Sequence, residues 1–434
     1  MTHRYLSITY TAFLLVGLFN AVVSAGQNRP PNIIVILADD LGYPDISLCD
    51  GWVSTPRIDQ LASEGMTLTD FHSNSSVCSP TRAAFLTGRY QQRVGIVDVI
   101  VGAKEPYQGL KPATTTFAKV LKKHDYATAI FGKWHLGYQD RYNPLHHGFD
   151  EFVGFLTGGA DYHQHAAWRN GLKQQKVSGY STDIITGKSV DFIKRHPKTP
   201  FFLYVAHQTP HNPYQTRDDT PENRPEGWKQ NRVNDINRPR YKQLVKDLDT
   251  SVGAILDAVI DTGLAENTLV FFWSDNGDVR MAPVNRPMRG GKFSLYEGGH
   301  RVPAVAWWPG HIKAGSKSDQ LLAGFDLFPT FTDIIGISKD NPDKLDGISA
   351  RSILLGKGSG VTTARDLFFG YEPKLGTAMR RGDWKLIVKG KDLQLYNLKT
   401  DPKETTNIAA KHPGLTKSMR QAVKDFKQTV VPGS

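Results

Sequence analysis

The chain alternates short apolar runs with longer amphipathic stretches. Asn32-Ile-Ile-Val-Ile-Leu37 is apolar after its first residue and rich in β-branched side chains. That predicts a strand buried on both faces, as in a parallel sheet. Residues 127–131, 201–206, 269–273 and 304–308 have the same character. Helical patterns lie between them. Thr55-Pro56 reads as an N-cap and first-turn pair, with Ile58, Leu61 and Ala62 on one face and Gly65 as a stop. Phe117, Val120 and Leu121 mark a second helix. Leu244, Val245, Leu248, Val252, Ile255, Leu256 and Val259 form a long stripe closed by Gly263. Strands alternating with helices predict an α/β fold with a mostly parallel sheet between helices.

The pattern changes past about residue 350. Residues 383–388 and 393–397 read as a hairpin around Lys389-Gly390-Lys391, with an earlier strand at 378–380 and a helix over 414–426. We therefore expect a large catalytic domain over 26–350 and a small antiparallel domain with one helix over 351–434. The short Gly/Ser-rich stretch 356–361 lies near the join. Residues 1–25 combine a basic start at His3 and Arg4, an apolar stretch from Ile8 to Phe19 and small residues at Val23-Ser24-Ala25. This is the pattern of a cleaved secretory signal peptide and predicts a secreted or periplasmic protein. No later run approaches the roughly 18 apolar residues of a membrane span.

Composition changes the picture in one respect. Of 434 residues 39% are hydrophobic and 22% charged, which excludes global disorder. The balance of 53 Lys+Arg against 42 Asp+Glu gives +11, and a basic secreted chain suits an anionic partner. The basic residues are dispersed, without a zinc finger, basic zipper or RNP-like stretch, so nucleic acid is not expected. The charge leaves an acidic polysaccharide, an anionic membrane surface, or a solvated basic surface with no specific partner.

Chemistry collects where the strands end. Ligands in open α/β sheets bind beyond the carboxyl ends of the strands. There the first run delivers Asp39-Asp40, the second Lys133-Trp134-His135, the third His207 and His211, and the fourth Ser274-Asp275-Asn276. Asp39, Asp40, Asp275 and Asn276 offer only oxygens, which select Ca²⁺ or Mg²⁺ over zinc, with Ca²⁺ the better match to several carboxylates. Lys133, His135 and Lys292 add positive charge and proton-transfer groups. A metal with cations beside it suits a tetrahedral oxyanion.

The only two cysteines are Cys49 and Cys78, and in a secreted chain the default expectation is one disulfide. The surroundings of the second argue otherwise. Cys78-Ser79-Pro80-Thr81-Arg82, followed by Leu86-Thr87-Gly88-Arg89, resembles the signature of the type I sulfatases, Cys-x-Pro-x-Arg with a downstream Leu-Thr-Gly-Arg. Thr81 stands where Ser or Ala is more usual. Further blocks of that family follow in order: Gly132 to Gly137 around Lys133 and His135, Pro210-His211-Asn212-Pro213, Ser274 to Gly277, and Arg289 to Arg301 around Lys292.

The resemblance implies an alkaline-phosphatase-like fold and a cysteine, Cys78, oxidised to formylglycine (3-oxoalanine). The oxidation falls to a formylglycine-generating or anaerobic sulfatase-maturing enzyme. It implies metal ligation by Asp39, Asp40, residue 78, Asp275 and Asn276, with Ca²⁺ favoured and Mg²⁺ the other option. The aldehyde hydrate would attack sulfur, helped by the metal and Arg82. His211, or else Lys292, would protonate the leaving oxygen, and His135 would deprotonate the remaining hydroxyl to expel sulfate. Lys133 and Arg82 would hold the diol.

Substrate contacts are sought on the polar segments flanking these blocks. His163, His165, Trp168 and Arg169 stand in one, Tyr214, Arg217, Trp228 and Arg232 in another, and Arg280, Arg286 and Arg289 precede Lys292. Aromatic and arginine side chains suit a sugar carrying anionic groups. The expected activity is hydrolysis of sulfate esters on a polysaccharide or oligosaccharide. The competing readings are a phosphonate monoester or phosphodiester hydrolase, a small aryl-ester sulfatase, and a sulfoglycan-binding pseudoenzyme.

Overall fold

A computed structural model describes residues 29–102, 107–223, 237–279, 287–342, 344–356, 365–372 and 376–431. The leader expected at 1–25 and all but the first residue of the stretch 356–361 lie outside them. The strands of the large domain are β1 (Asn32–Ala38), β2 (Met66–Leu68), β3 (Phe71–His72), β4 (Ala127–Lys133), β5 (Glu151–Phe155) and β6 (Trp168–Asn170). They continue with β7 (Lys173–Gln174), β8 (Phe201–Ala206), β9 (Thr268–Ser274), β10 (Ala304–Trp307), β11 (Ser316–Ser318) and β12 (Leu322–Ala323). All but β3 and β12 join one ten-stranded sheet in the order β11-β2-β10-β9-β1-β8-β4-β5-β6-β7. Its centre, β9-β1-β8-β4-β5, is parallel, as the continuous apolar runs predict.

The run at 304–308 departs from that expectation. It forms β10, which lies antiparallel to β9. Burial on both faces makes a run apolar whatever its direction, and Ala304 to Trp307 are buried throughout.

The helices are α1 (Pro56–Glu64), α2 (Cys78–Thr87), α3 (Phe117–Lys122), α4 (Ser181–Arg195), α5 (Arg238–Asp261), α6 (Glu297–His300), α7 (Leu327–Ile334), α8 (Arg351–Leu354) and α9 (Pro413–Thr429). The alternation of side chains along β1 assigns them to two layers. Ile33, Val35 and Leu37 pack with residues of α2, α3 and α7, while Ile34, Ile36 and Ala38 pack with residues of α1, α4 and α5. Thr55 stands at the N-cap of α1, but its hydroxyl is engaged with Ser47. The free amides of Arg57 and Ile58 donate instead to Asp249 of α5, at 3.0 and 2.8 Å. A carboxylate from the neighbouring helix supplies the cap.

The C-terminal sheet is antiparallel, in the order β13 (Asp366–Glu372), β14 (Gly376–Arg381), β15 (Trp384–Lys389), β16 (Asp392–Asn397). Met379, Leu386 and Leu395 pack on Met419 and Val423 of α9, whereas Ala378, Ile387 and Tyr396 face Leu295 and Phe325 of the large domain. Charge reinforces this seam. Glu297 of α6 accepts from Lys385 at 3.0 Å and from Arg380 at 2.9 Å, and all three side chains are buried.

Candidate active site

The parallel strands end in register. Leu37 pairs with Ala206, Ala38 with Ser274 and Gly132 with Ala206, so Asp39, His207, Asp275 and Lys133 leave the sheet side by side. The Asp275 amide donates to Ala38 O at 3.0 Å and the Asp39 amide to Thr209 O at 3.2 Å, fixing the turns that follow. Gly132 permits this spacing: at φ 111° it lies where a Cβ would stand 2.0 Å from the Ala206 carbonyl oxygen.

Three carboxylates and three cations meet at this edge, all buried: Asp39, Asp40, Asp275, Arg82, Lys133 and Lys292. Lys133 Nζ donates to Asp39 Oδ2 at 2.6 Å, and Lys292 Nζ lies 2.7 Å from Asp40 Oδ1. Arg82 donates through Nε and Nη2 to Asp275 Oδ2, at 3.0 and 2.8 Å, and through Nη1 to Lys133 O at 2.9 Å. Its guanidinium is therefore committed to orienting a carboxylate and a strand end. Cys78 opens α2, with Sγ and one oxygen each of Asp39 and Asp275 all within 4.8 Å of one another. It is a free thiol, as is Cys49, so the expected disulfide is absent.

The titration of these groups follows from burial and charge. Burial, reinforced by the Asp275 carboxylate, pushes the Asp39 carboxyl up to about 8. Against the same burial, Lys292 and His211 hold Asp40 down at about 2. Burial pulls His211 down to about 3, with Asp40 opposing, so this imidazole is neutral in the free site. Lys292 is the opposite case, held protonated by Asp40 despite burial. Burial and the neighbouring Lys133 and Arg82 keep His135 neutral as well. Its Nε2 lies 3.1 Å from Ile100 O, which assigns the proton there and leaves Nδ1 buried with no partner, a free lone pair at the site. Burial also raises the Cys78 thiol, so an unmodified cysteine here would be a weak nucleophile at neutral pH.

A divalent cation fits this donor set. Asp39 Oδ1 and Asn276 Oδ1 are buried and accept no hydrogen bond. Hard oxygens at these positions suit Ca²⁺ or Mg²⁺. With Arg82, Lys133 and Lys292 beside these carboxylates, a bound cation would add to the positive charge offered to an anion. Access is through a cavity of about 450 Å³ lined by Asp40, Cys78, His135, His211 and Lys292, with Val99, Val101, Tyr138, Val279 and Phe293 forming much of its wall.

Several residues expected to touch substrate lie elsewhere. His165 and Trp168 are fully buried with their rings in tilted contact, and His165 Nε2 is bound to Gly179 O at 2.7 Å. This corrects their reading as sugar contacts: they pack the end of the sheet beside Phe155. His163 is bound to Thr216 O, Arg169 to Asp140 and Gln174, and Arg289 to Glu404 O while lying over Tyr296. None of these three lines the cavity. His207 faces away and bonds Ser251 of α5. Arg280, Arg286, Trp228 and Arg232 lie outside the described residues. The apolar wall was missed, because Val99, Val101 and Phe293 belong to no polar motif. Phe293 alone carried a signal, its place next to Lys292.

Comparisons with known proteins agree with this geometry. Residues 31–337 match the sulfatase family profile, and residues 291–429 match the profile of the N-sulphoglucosamine sulphohydrolase C-terminal region. The chain is 33% identical over 397 residues to mouse N-acetylgalactosamine-6-sulfatase, covering 84% of this chain and 73% of that protein. It is 34% identical over 382 residues to bovine arylsulfatase A, covering 78% and 70%. The crystal structure of Ps i-CgsB, also solved in complex with k-i-k-neocarrahexaose, superposes with a TM-score of 0.82 at 28% identity, covering 94% of each chain.

Proposed function

The chain belongs to the sulfatase family, and from that premise we propose that it removes sulfate from a carbohydrate ester by means of a formylglycine at position 78 and a divalent cation. Sulfate ester hydrolysis is the family's reaction, and this protein is a sulfuric ester hydrolase. The observation that carries the finer reading is the cluster of Cys78, Asp39 and Asp275 within 4.8 Å, flanked by Lys133 and Lys292. The carbohydrate half rests on the sugar substrates or ligands in the names of the N-acetylgalactosamine-6-sulfatase and Ps i-CgsB relatives.

Asp39, Asp40, Asp275, Asn276 and residue 78 would hold the cation, which when bound would supply Lewis acidity. Formylglycine, as its hydrate, supplies a nucleophilic hydroxyl and a second hydroxyl that lets the enzyme turn over. Lys292 and Lys133 clamp the anion. Arg82 is a positioning residue, aiming Asp275. His211 is neutral in the free site chiefly because it is buried. It takes up a proton from solvent together with the anionic ester, whose charge offsets Lys292 and Lys133, and gives that proton to the departing alcohol oxygen. His135, with its free Nδ1, accepts the proton whose loss expels sulfate.

The remaining expectations stand as part of the same proposal: a leader at 1–25, a catalytic domain over 26–350, a smaller domain over 351–434, a secreted or periplasmic location and a maturation enzyme acting on Cys78. Among the described residues no helix is long and apolar enough to cross a membrane.

The test begins with intact mass of protein made in a host that installs formylglycine, which should be about 18 Da lighter than the thiol form. Competition between sulfate and phosphate esters of one sugar should then favour sulfate. Preference for the phosphate by several powers of ten would replace the reading with a phosphoester hydrolase.

A further inference from the structure

We infer that Phe293 is a stacking platform for the sugar ring that bears the scissile sulfate. The inference rests on the carbohydrate reading above and adds a specificity residue to it. Phe293 has φ 65°, a backbone that bulky L-residues avoid and glycine takes without strain. The residue is 56% exposed, so it gains little from burial in the free protein. A bulky ring that is both strained and wet is explained by what sits on it.

Its position names the occupant. Phe293 lines the mouth of the catalytic cavity, and its ring centroid lies 5.5 Å from Lys292 Nζ. The backbone leading into the ring is fixed, with the Phe293 amide donating to Ser76 O at 3.1 Å and the Lys292 amide to Asp278 O at 2.8 Å. An ester whose sulfo group is held by Lys292 must carry its alcohol past this ring. A pyranose presents an apolar face of C–H groups and directs its hydroxyls around the edge, which suits an aromatic surface. Val99, Val101 and Val279 on the same wall continue the apolar lining. The cavity thus grips sulfate by charge and the sugar by shape.

The test uses the full, matured, metal-loaded enzyme with two variants, Phe293→Gly and Phe293→Tyr. Glycine relieves the backbone, so the variant should melt at the same temperature or higher. We expect Phe293→Gly to raise KM for a sulfated monosaccharide about fivefold to tenfold, the scale of one aromatic contact. The kcat should change far less, and Phe293→Tyr should retain the parent KM. Competitive inhibition by inorganic sulfate reports on the anion clamp without the sugar and should stay within about twofold of the parent. An unchanged KM in Phe293→Gly overturns the platform while leaving the carbohydrate reading intact. A parallel rise in KM and in the sulfate inhibition constant also overturns it, because the effect then belongs to a displaced anion clamp. A parent enzyme that cleaves aryl sulfates and no sugar sulfate removes both.

Discussion

Arg82 and Asp275 are separated by 193 residues and meet in a fully buried pair, two guanidinium N–H groups on one carboxylate oxygen. The second oxygen, Oδ1, accepts from the Asp40 amide at 3.3 Å. One arginine thereby orients a carboxylate of the proposed cation site and the turn that carries Asp40. Replacing Arg82 with Gln should cost about 3–5 kcal/mol, because a buried charge loses its partner. Denaturant unfolding would register this as a lower midpoint, and calcium titration as weaker binding. Arg82→Lys should recover only part of either, since an ammonium cannot present the same fork.

Lys292 should matter to chemistry more than to folding. Lys292→Ala is expected to lower turnover by about two to three powers of ten. The formylglycine content, read by intact mass, should match the parent. Activity near the parent's would remove Lys292 from the anion clamp.

The strand ends were legible because each is an apolar run broken by a residue that no core would accept: Asp39, Lys133, Asp275. Periodicity supplies the run, and the misplaced charge supplies the site. What stayed hidden depends on contacts distant in sequence. The cap of α1 comes from Asp249, 191 positions beyond the Ile58 amide that it accepts. Trp168 and His165 share their composition with sugar-binding loops, and only the third dimension shows that they are buried. β13 carries Gly370 in its middle and so lacks a clean alternation. The place of Phe293 beside Lys292 was legible, but its positive φ was not, because nothing in a sequence reports a backbone angle.

Cation binding should displace a proton from Asp39. Its carboxyl, raised to about 8 in the metal-free protein against an ordinary 3.8, is mostly protonated at pH 7. Ca²⁺ binding at that pH should release close to one proton from this group, and the release should fade above about pH 9. The sign for stability follows from the raised value. In the metal-free protein this group's contribution is fully present below its unfolded pKa and is lost as pH rises through about 8. Calorimetry in two buffers of different ionisation enthalpy counts the protons. Binding without proton release would contradict the assignment of Asp39 as a ligand.

The seam between the two sheets should be acid-sensitive. Burial opposes ionisation of Glu297, yet Lys385 and Arg380 hold its carboxyl well below the usual range. Its stabilising contribution is therefore present above its unfolded pKa and lost as pH falls through the depressed folded value. Glu297→Gln should destabilise the protein by about 3 kcal/mol at neutral pH. It should also flatten the acid limb of stability against pH, as followed by thermal melts. An unaltered acid limb would place the acid sensitivity elsewhere.

The central claim is that position 78 works as an aldehyde hydrate with two hydroxyls, and repeated turnover tests it most directly. Matured enzyme and its Cys78→Ser variant, each loaded with Ca²⁺, are mixed with excess sulfated oligosaccharide, and released inorganic sulfate is counted per enzyme molecule. The matured enzyme should release sulfate over many turnovers, while serine, lacking the second hydroxyl, should free none beyond background after at most one transfer. Sustained sulfate release by the serine variant at the parent's rate, or none from the matured enzyme on any ester, would contradict the account.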